Sequence, residues 1–167
     1  MLLPLGSFSC LIIISSNIWV KTRFKRDKVC IAGTSAGSMI MSQKMIASGS
    51  NAEAQADEDL ELSTGLNLLP QTLVDTHFIE RGGFARLAHA IDQYPHLLGI
   101  SIEADTAILV DEHFATTYGS GTITFIDGHC IKDYKHSPEN QCVINLNVHL
   151  LVSGCQFDLK QLQLIVK

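Results

Sequence analysis

Hydrophobic and polar positions change their period several times along the 167 residues. Val29-Cys30-Ile31-Ala32 is a short apolar run suited to a buried strand, and it leads directly into Gly33-Thr34-Ser35-Ala36-Gly37. Residues 38–47 then read as a helix, with Ile40, Met41 and Lys44 about one turn apart. Leu73-Val74 is a short strand candidate ahead of Asp75-Thr76-His77. Phe84, Leu87, Ala88 and Ile91 recur at helical spacing and predict an amphipathic helix that stops at Tyr94-Pro95. Arg86, His89, Asp92 and Gln93 would face outward or toward a site. Strand candidates follow at 98–102, 107–110, 122–126 and 143–152, with Asp127-Gly128 as a hairpin signal. Strands alternating with helices early, and hairpins late, predict an α/β layer fold with a mixed sheet.

Two stretches depart from this pattern. Residues 1–20 carry no charge, include Leu11-Ile12-Ile13-Ile14, and precede five basic residues in the eight from Lys21 to Lys28. That is the outline of a membrane anchor, but Pro4, Gly6, Ser15, Ser16 and Asn17 dilute it. The preferred reading is a buried strand and connection, or sequence outside the main domain. The expected division is therefore an unassigned segment 1–28 and a domain 29–167. The second stretch, 48–63, holds Glu53, Asp57, Glu58, Asp59 and Glu61, and no lysine or arginine occurs between Lys44 and Arg81. It reads as a solvated loop, the alternative being an acidic rim that attracts a cationic substrate.

Composition narrows the class. At 46% hydrophobic and 17% charged, the chain has too much core material for a disordered segment. Twelve basic against seventeen acidic residues give −5, which argues against a nucleic-acid partner. Five cysteines without a C-x-x-C pair fit neither a disulfide framework nor a zinc site. Cys30 and Cys142, among apolar neighbours, read as reduced structural thiols, which points to a reducing, cytoplasmic compartment.

The sharpest chemical signal is Gly33-Thr34-Ser35-Ala36-Gly37, a G-x-S-x-G between an expected strand and an expected helix. On such a turn Ser35 is strained with its hydroxyl exposed, and the Ala36 N–H can donate to an oxyanion. Seven histidines compete as base: His77, His89, His96, His113, His129, His136 and His149. His77 stands out because it follows a short apolar strand, where α/β folds place functional groups. An α/β-hydrolase runs nucleophile, acid, histidine; here the acids Glu103 and Asp105 follow His77, which points away from that family and from a general esterase. No H-E-x-x-H cluster suggests metal hydrolysis, Asp111-Glu112-His113 reads as a surface loop, and no cofactor is called for.

At these residues the chain resembles the cyanophycinases of serine peptidase family S51. The matching stretches are 32–39 around the elbow, Thr64 to Pro70, Asp75-Thr76-His77-Phe78-Ile79-Glu80-Arg81-Gly82-Gly83-Phe84-Ala85-Arg86-Leu87, Gly99 to Ala107, Gly119 to Thr122 and His149 to Leu159. The resemblance implies a mainly parallel mixed sheet flanked by helices, like class I glutamine amidotransferases. It also implies hydrolysis of cyanophycin, a polyaspartate bearing arginine, to β-aspartyl-arginine dipeptides. Ser35 would be nucleophile and His77 base, with Arg81 and Arg86 lining the substrate site and Asp75 and Thr76 shaping it. Gly83 stands where the family usually has a third arginine, and Ala104 where it has an acid, which leaves adjacent Glu103 as the candidate triad acid and Asp105 behind it. The family also carries strands upstream of the elbow that have no match in residues 1–28. On this reading the chain is truncated at its N-terminus, lacks the first strands, and forms either a working peptidase, in one version a homodimer over the missing strands, or an inactive remnant that binds a partner.

Overall fold

The computed structural model describes residues 14–48, 60–76, 83–131 and 143–165. The chain divides into two compact units, Met1–Ala32 and Gly33–Lys167. In the first, the basic cluster belongs to a helix, α1 (Ile14–Asp27), and not to a strand and connection. Lys25 and Arg26 lie in its last turn, where the helix dipole favours cations, and Arg23 pairs with Asp27 at 2.9 Å. No helix among the described residues is long and apolar enough to cross a membrane. Residues 29–32, expected as a strand, form none, and Cys30 is exposed rather than core. A strand needs a neighbour to satisfy its backbone groups, and no described strand pairs with this run. Cys142 lies outside the described residues.

Among its described residues the second unit holds two sheets and two helices. Its elements are α2 (Ala36–Met39), β1 (Ser42–Ser48), β2 (Glu61–Thr64), β3 (Leu69–Thr76), α3 (Gly83–Gln93), β4 (Leu98–Ile102), β5 (Thr106–Asp111), β6 (Phe114–Gly119), β7 (Ile123–Asp127), β8 (Asn147–Leu151), β9 (Gln156–Asp158) and β10 (Gln163–Ile165). The larger sheet has the order β2-β1-β3-β4-β7-β8, the smaller β10-β9-β6-β5. This is the α/β class with a mixed sheet. Parallel pairing is confined to β1–β3–β4 at its centre, and antiparallel strands extend it on both sides, so parallel pairs are the minority.

The helix expected over 38–47 is corrected. It ends after one turn, and residues 42–48 become β1, between β2 and β3. Ser42 accounts for the break: its fully buried hydroxyl lies within hydrogen-bond reach of the Met39 carbonyl, at 2.6 Å, and of the Lys44 carbonyl. A side chain that satisfies the backbone locally in this way competes with the helical ladder. Helix α3 forms as expected, but its face is turned. Leu87, Ala88 and Ile91 are buried with Gly83, Ala90 and Arg86, while Phe84 is 47% exposed.

Two cores result. Leu87, Ala90 and Ile91 of α3 pack with Leu73, Ile126 and Ile46 on one face of the large sheet. On the other face Phe125, Ile123, Ile100 and Val74 meet Ala115 and Phe157 of the small sheet. Phe125 and Phe157 stack with centroids 4.4 Å apart. Gly99 lets α3 approach, since a Cβ there would come within 2.9 Å of Ile91. The expected turn at Asp127-Gly128 does begin a return to an antiparallel neighbour, β8, but through residues 128–146 and not a tight hairpin. Asp111-Glu112-His113 sits at the hairpin between β5 and β6.

Candidate active site

Between Gly33 and Ile40 the chain makes a tight turn into α2. Ser35 adopts φ 50°, ψ −127°, a conformation sparsely populated by L residues and costing about 1–3 kcal/mol elsewhere. The surrounding bonds hold it there: the Gly37 N–H donates to the Thr34 carbonyl at 2.9 Å, and the Ser38 N–H and hydroxyl donate to the Ser35 carbonyl at 2.9 and 2.7 Å. Gly33 is obligatory, because a Cβ there would overlap the Gly37 carbonyl oxygen. Ser35 and Ala36 are exposed. This backbone is what a nucleophile elbow needs, since a strained turn pushes the seryl side chain out of the fold.

A cleft of about 250 Å³ opens beside the turn. Ser35, Ala36 and Met39 form one wall; Met45 to Ser48, at the end of β1, and Asp75 and Thr76, at the end of β3, form the other. The cleft therefore lies at the carboxyl ends of two adjacent parallel strands, where open α/β sheets bind ligands.

Asp75 and Arg86 line this cleft and are paired to one another. Arg86 Nη2 donates to both Asp75 carboxylate oxygens at 2.7 Å and Nε to Oδ2 at 3.2 Å. The Thr76 N–H adds a bond to Oδ1 at 2.9 Å. Asp75 is completely buried and Arg86 is 5% exposed, so α3 turns Arg86 inward to neutralise a carboxylate at the end of β3. Of the two placements expected for Arg86, outward or toward a site, the structure has the second, with its fork engaged by Asp75. Thr76 donates its hydroxyl to Met39 Sδ at 3.6 Å, tying β3 to α2.

Glu103 follows β4, the parallel neighbour of β3, so it lies at the same pole of the sheet. Its carboxylate accepts from the Thr122 N–H at 3.1 Å, and Glu103 is not among the residues that line the cleft. Asp105 is exposed in the following turn at φ 52°. His77 and Arg81 lie outside the described residues, as does His136. Among the other histidines, the His129 ring forms a short bond to Asp127, and His113 lies 3.9 Å from Asp158.

Sequence reasoning missed the β1 wall, Met45 to Ser48. The signal was weak, since Ser42-Gln43-Lys44-Met45-Ile46-Ala47-Ser48 carries no apolar–polar alternation and Ile40, Met41 and Lys44 fall at apparent helical spacing.

The model of peptidase family S51 matches residues 20–118, more than half of the chain. A cyanophycinase of Geminocystis herdmanii is 33% identical over 146 residues, 84% of this chain and 54% of the relative. One of Trichormus variabilis is 33% identical over 147 residues, 85% and 49% of the two chains. Another, of Synechococcus elongatus, is 36% identical over 138 residues, 80% and 43%. The chain spans about half the length of the curated relatives it matches.

Proposed function

The chain belongs to peptidase family S51, and from that premise we propose that it is a serine-type hydrolase releasing β-aspartyl-arginine units from cyanophycin. The single observation that carries the reading is the strained backbone of Ser35 at the wall of the cleft. Relatives named cyanophycinase support the substrate.

Ser35 Oγ attacks the scissile carbonyl carbon while His77, the base, takes the hydroxyl proton. The Ala36 N–H stabilises the oxyanion of the tetrahedral intermediate. His77 returns the proton to the leaving amine as the carbon–nitrogen bond breaks. Water then attacks the acyl-enzyme, giving its proton to His77 and releasing the acid with Ser35 restored. Glu103 orients the imidazole and stabilises its cation, and Arg81 binds a substrate carboxylate. Asp75 and Thr76 shape the pocket, and Arg86 acts there through its hold on Asp75.

A catalytically inactive chain is the second reading. The observation that favours it is the commitment of the Glu103 carboxylate to the Thr122 N–H. Dipeptide release from cyanophycin, measured beside the Ser35→Ala variant, separates the two. Release that vanishes in the variant is expected; release by neither protein leaves the second reading.

A further inference from the structure

Glu61 is the first residue of β2, and it meets the last residue of β1. The Ser48 hydroxyl donates to Glu61 Oε2 at 3.0 Å, and Ser48 lines the cleft that holds Ser35. The ladder between the strands is irregular at this point. Ile46 pairs with Leu62, but Ser48 pairs with Glu61, so Ala47 is an extra residue on β1. Such a bulge bends its strand and re-aims side chains, and here it falls on the cleft wall, since Ile46, Ala47 and Ser48 all line it.

Among the described residues no ion pair engages Glu61. Asp75 and Arg86 neutralise one another inside the cleft. The Lys44 ammonium lies 5.0 Å from the Tyr94 ring centroid, a cation–π contact that occupies it. From residue 45 to residue 80 the sequence contains no lysine or arginine. Glu61 is exposed and fixed by a neutral hydroxyl, which orients its carboxylate without consuming its charge.

We propose that Glu61, oriented by Ser48 at the β-bulge, is a specificity-determining residue that receives a guanidinium group of the substrate at the rim of the Ser35 cleft. This rests on the peptidase reading for the identity of the cationic group. A carboxylate accepts a guanidinium by two parallel N–H···O bonds, a geometry that a neutral isostere of arginine cannot reproduce with equal charge. Because Glu61 is exposed, the expected discrimination is modest, about two- to fivefold.

The test is equilibrium binding of β-aspartyl-arginine and of its neutral isostere β-aspartyl-citrulline to the full chain carrying Ser35→Ala, with and without Glu61→Gln. Expected is tighter binding of the arginyl dipeptide, by that factor, and loss of the preference in Glu61→Gln with citrullyl binding unchanged. An arginyl preference that persists in Glu61→Gln, equal weakening of both dipeptides, or no binding of either overturns the proposal. Cleavage is scored separately in the chain with Ser35 intact: absence of turnover sinks the peptidase reading, while a Glu61-dependent preference in binding still upholds this one.

Discussion

Bonds from the Ser38 N–H and hydroxyl to the Ser35 carbonyl, and from the Gly37 N–H to the Thr34 carbonyl, hold the turn at Ser35. Ser35→Ala is therefore expected to keep its melting temperature and lose all dipeptide release, read by thermal denaturation beside the activity assay. Glu103→Gln should lower release only in part, because an imidazole without its acid partner keeps some basicity. Equal loss in both variants would make Glu103 indispensable. Arg86 gives a different expectation. Replacing it by Met leaves the Asp75 carboxylate buried and uncompensated, which costs about 3–5 kcal/mol. Urea unfolding should show that loss, and Asp75→Asn added to Arg86→Met should recover part of it. A double variant no more stable than the single one would mean that Arg86 acts through packing. Ser35 was legible as a nucleophile candidate because its signal is local: two glycines and small neighbours. The inward turn of Arg86 was not, because helical spacing alone ranks an arginine as polar and blind to a carboxylate eleven residues earlier.

At the level of elements, short apolar runs predicted some strands and failed at others. The strand expected at 98–102 is β4 as the structure has it, between β3 and β7. The run 29–32 is equally apolar and forms no strand, and 38–47 exchanges helical spacing for β1. Apolar periodicity supplies side chains for burial, but only a paired neighbour supplies backbone partners. The β9 and β10 strands, three residues each, are too short to leave a period. Two substitutions probe the elements. Phe125→Ala removes one half of the stack that joins the two sheets and should cost about 3–5 kcal/mol, measured as a fall in denaturant midpoint. Gly33→Ala should displace the Gly37 carbonyl, with the local strain appearing as a lower melting temperature and, on the proposed function, as lower dipeptide release; no change in either would show that the turn can relax.

Over the whole molecule, two carboxylates link stability to acid. Asp127 is held below its ordinary value of 3.8: burial raises it, but bonds from the His129 N–H, the His129 ring and Asn147 together outweigh that. Asp158 is likewise lowered, first by the Gln161 N–H, against burial, and then by the Lys160 N–H. A carboxylate with a depressed folded pKa contributes stability that is complete above the unfolded value and lost as pH falls through the folded one. Denaturant midpoints should therefore drop below about pH 4, and the double variant Asp127→Asn, Asp158→Asn should drop less steeply over that window. Parallel slopes for the two proteins would remove these carboxylates as the cause.

By itself the sequence determined what is local or periodic: the small-residue turn at Ser35, the amphipathic stretch from Leu87 to Ile91, the apolar run of β5, and the α/β class that their order implies. Backbone sterics and side-chain period act within a few residues, so a linear reading reaches them. Only the tertiary structure decided that Ser42 ends a helix and starts a strand, that Arg86 neutralises Asp75, and that Ser48 and Glu61 meet beside Ser35. Arg86 and Ser48 meet partners eleven and thirteen residues away along the chain, and Ser42, whose own bonds are local, starts a strand only because β2 and β3 lie beside it.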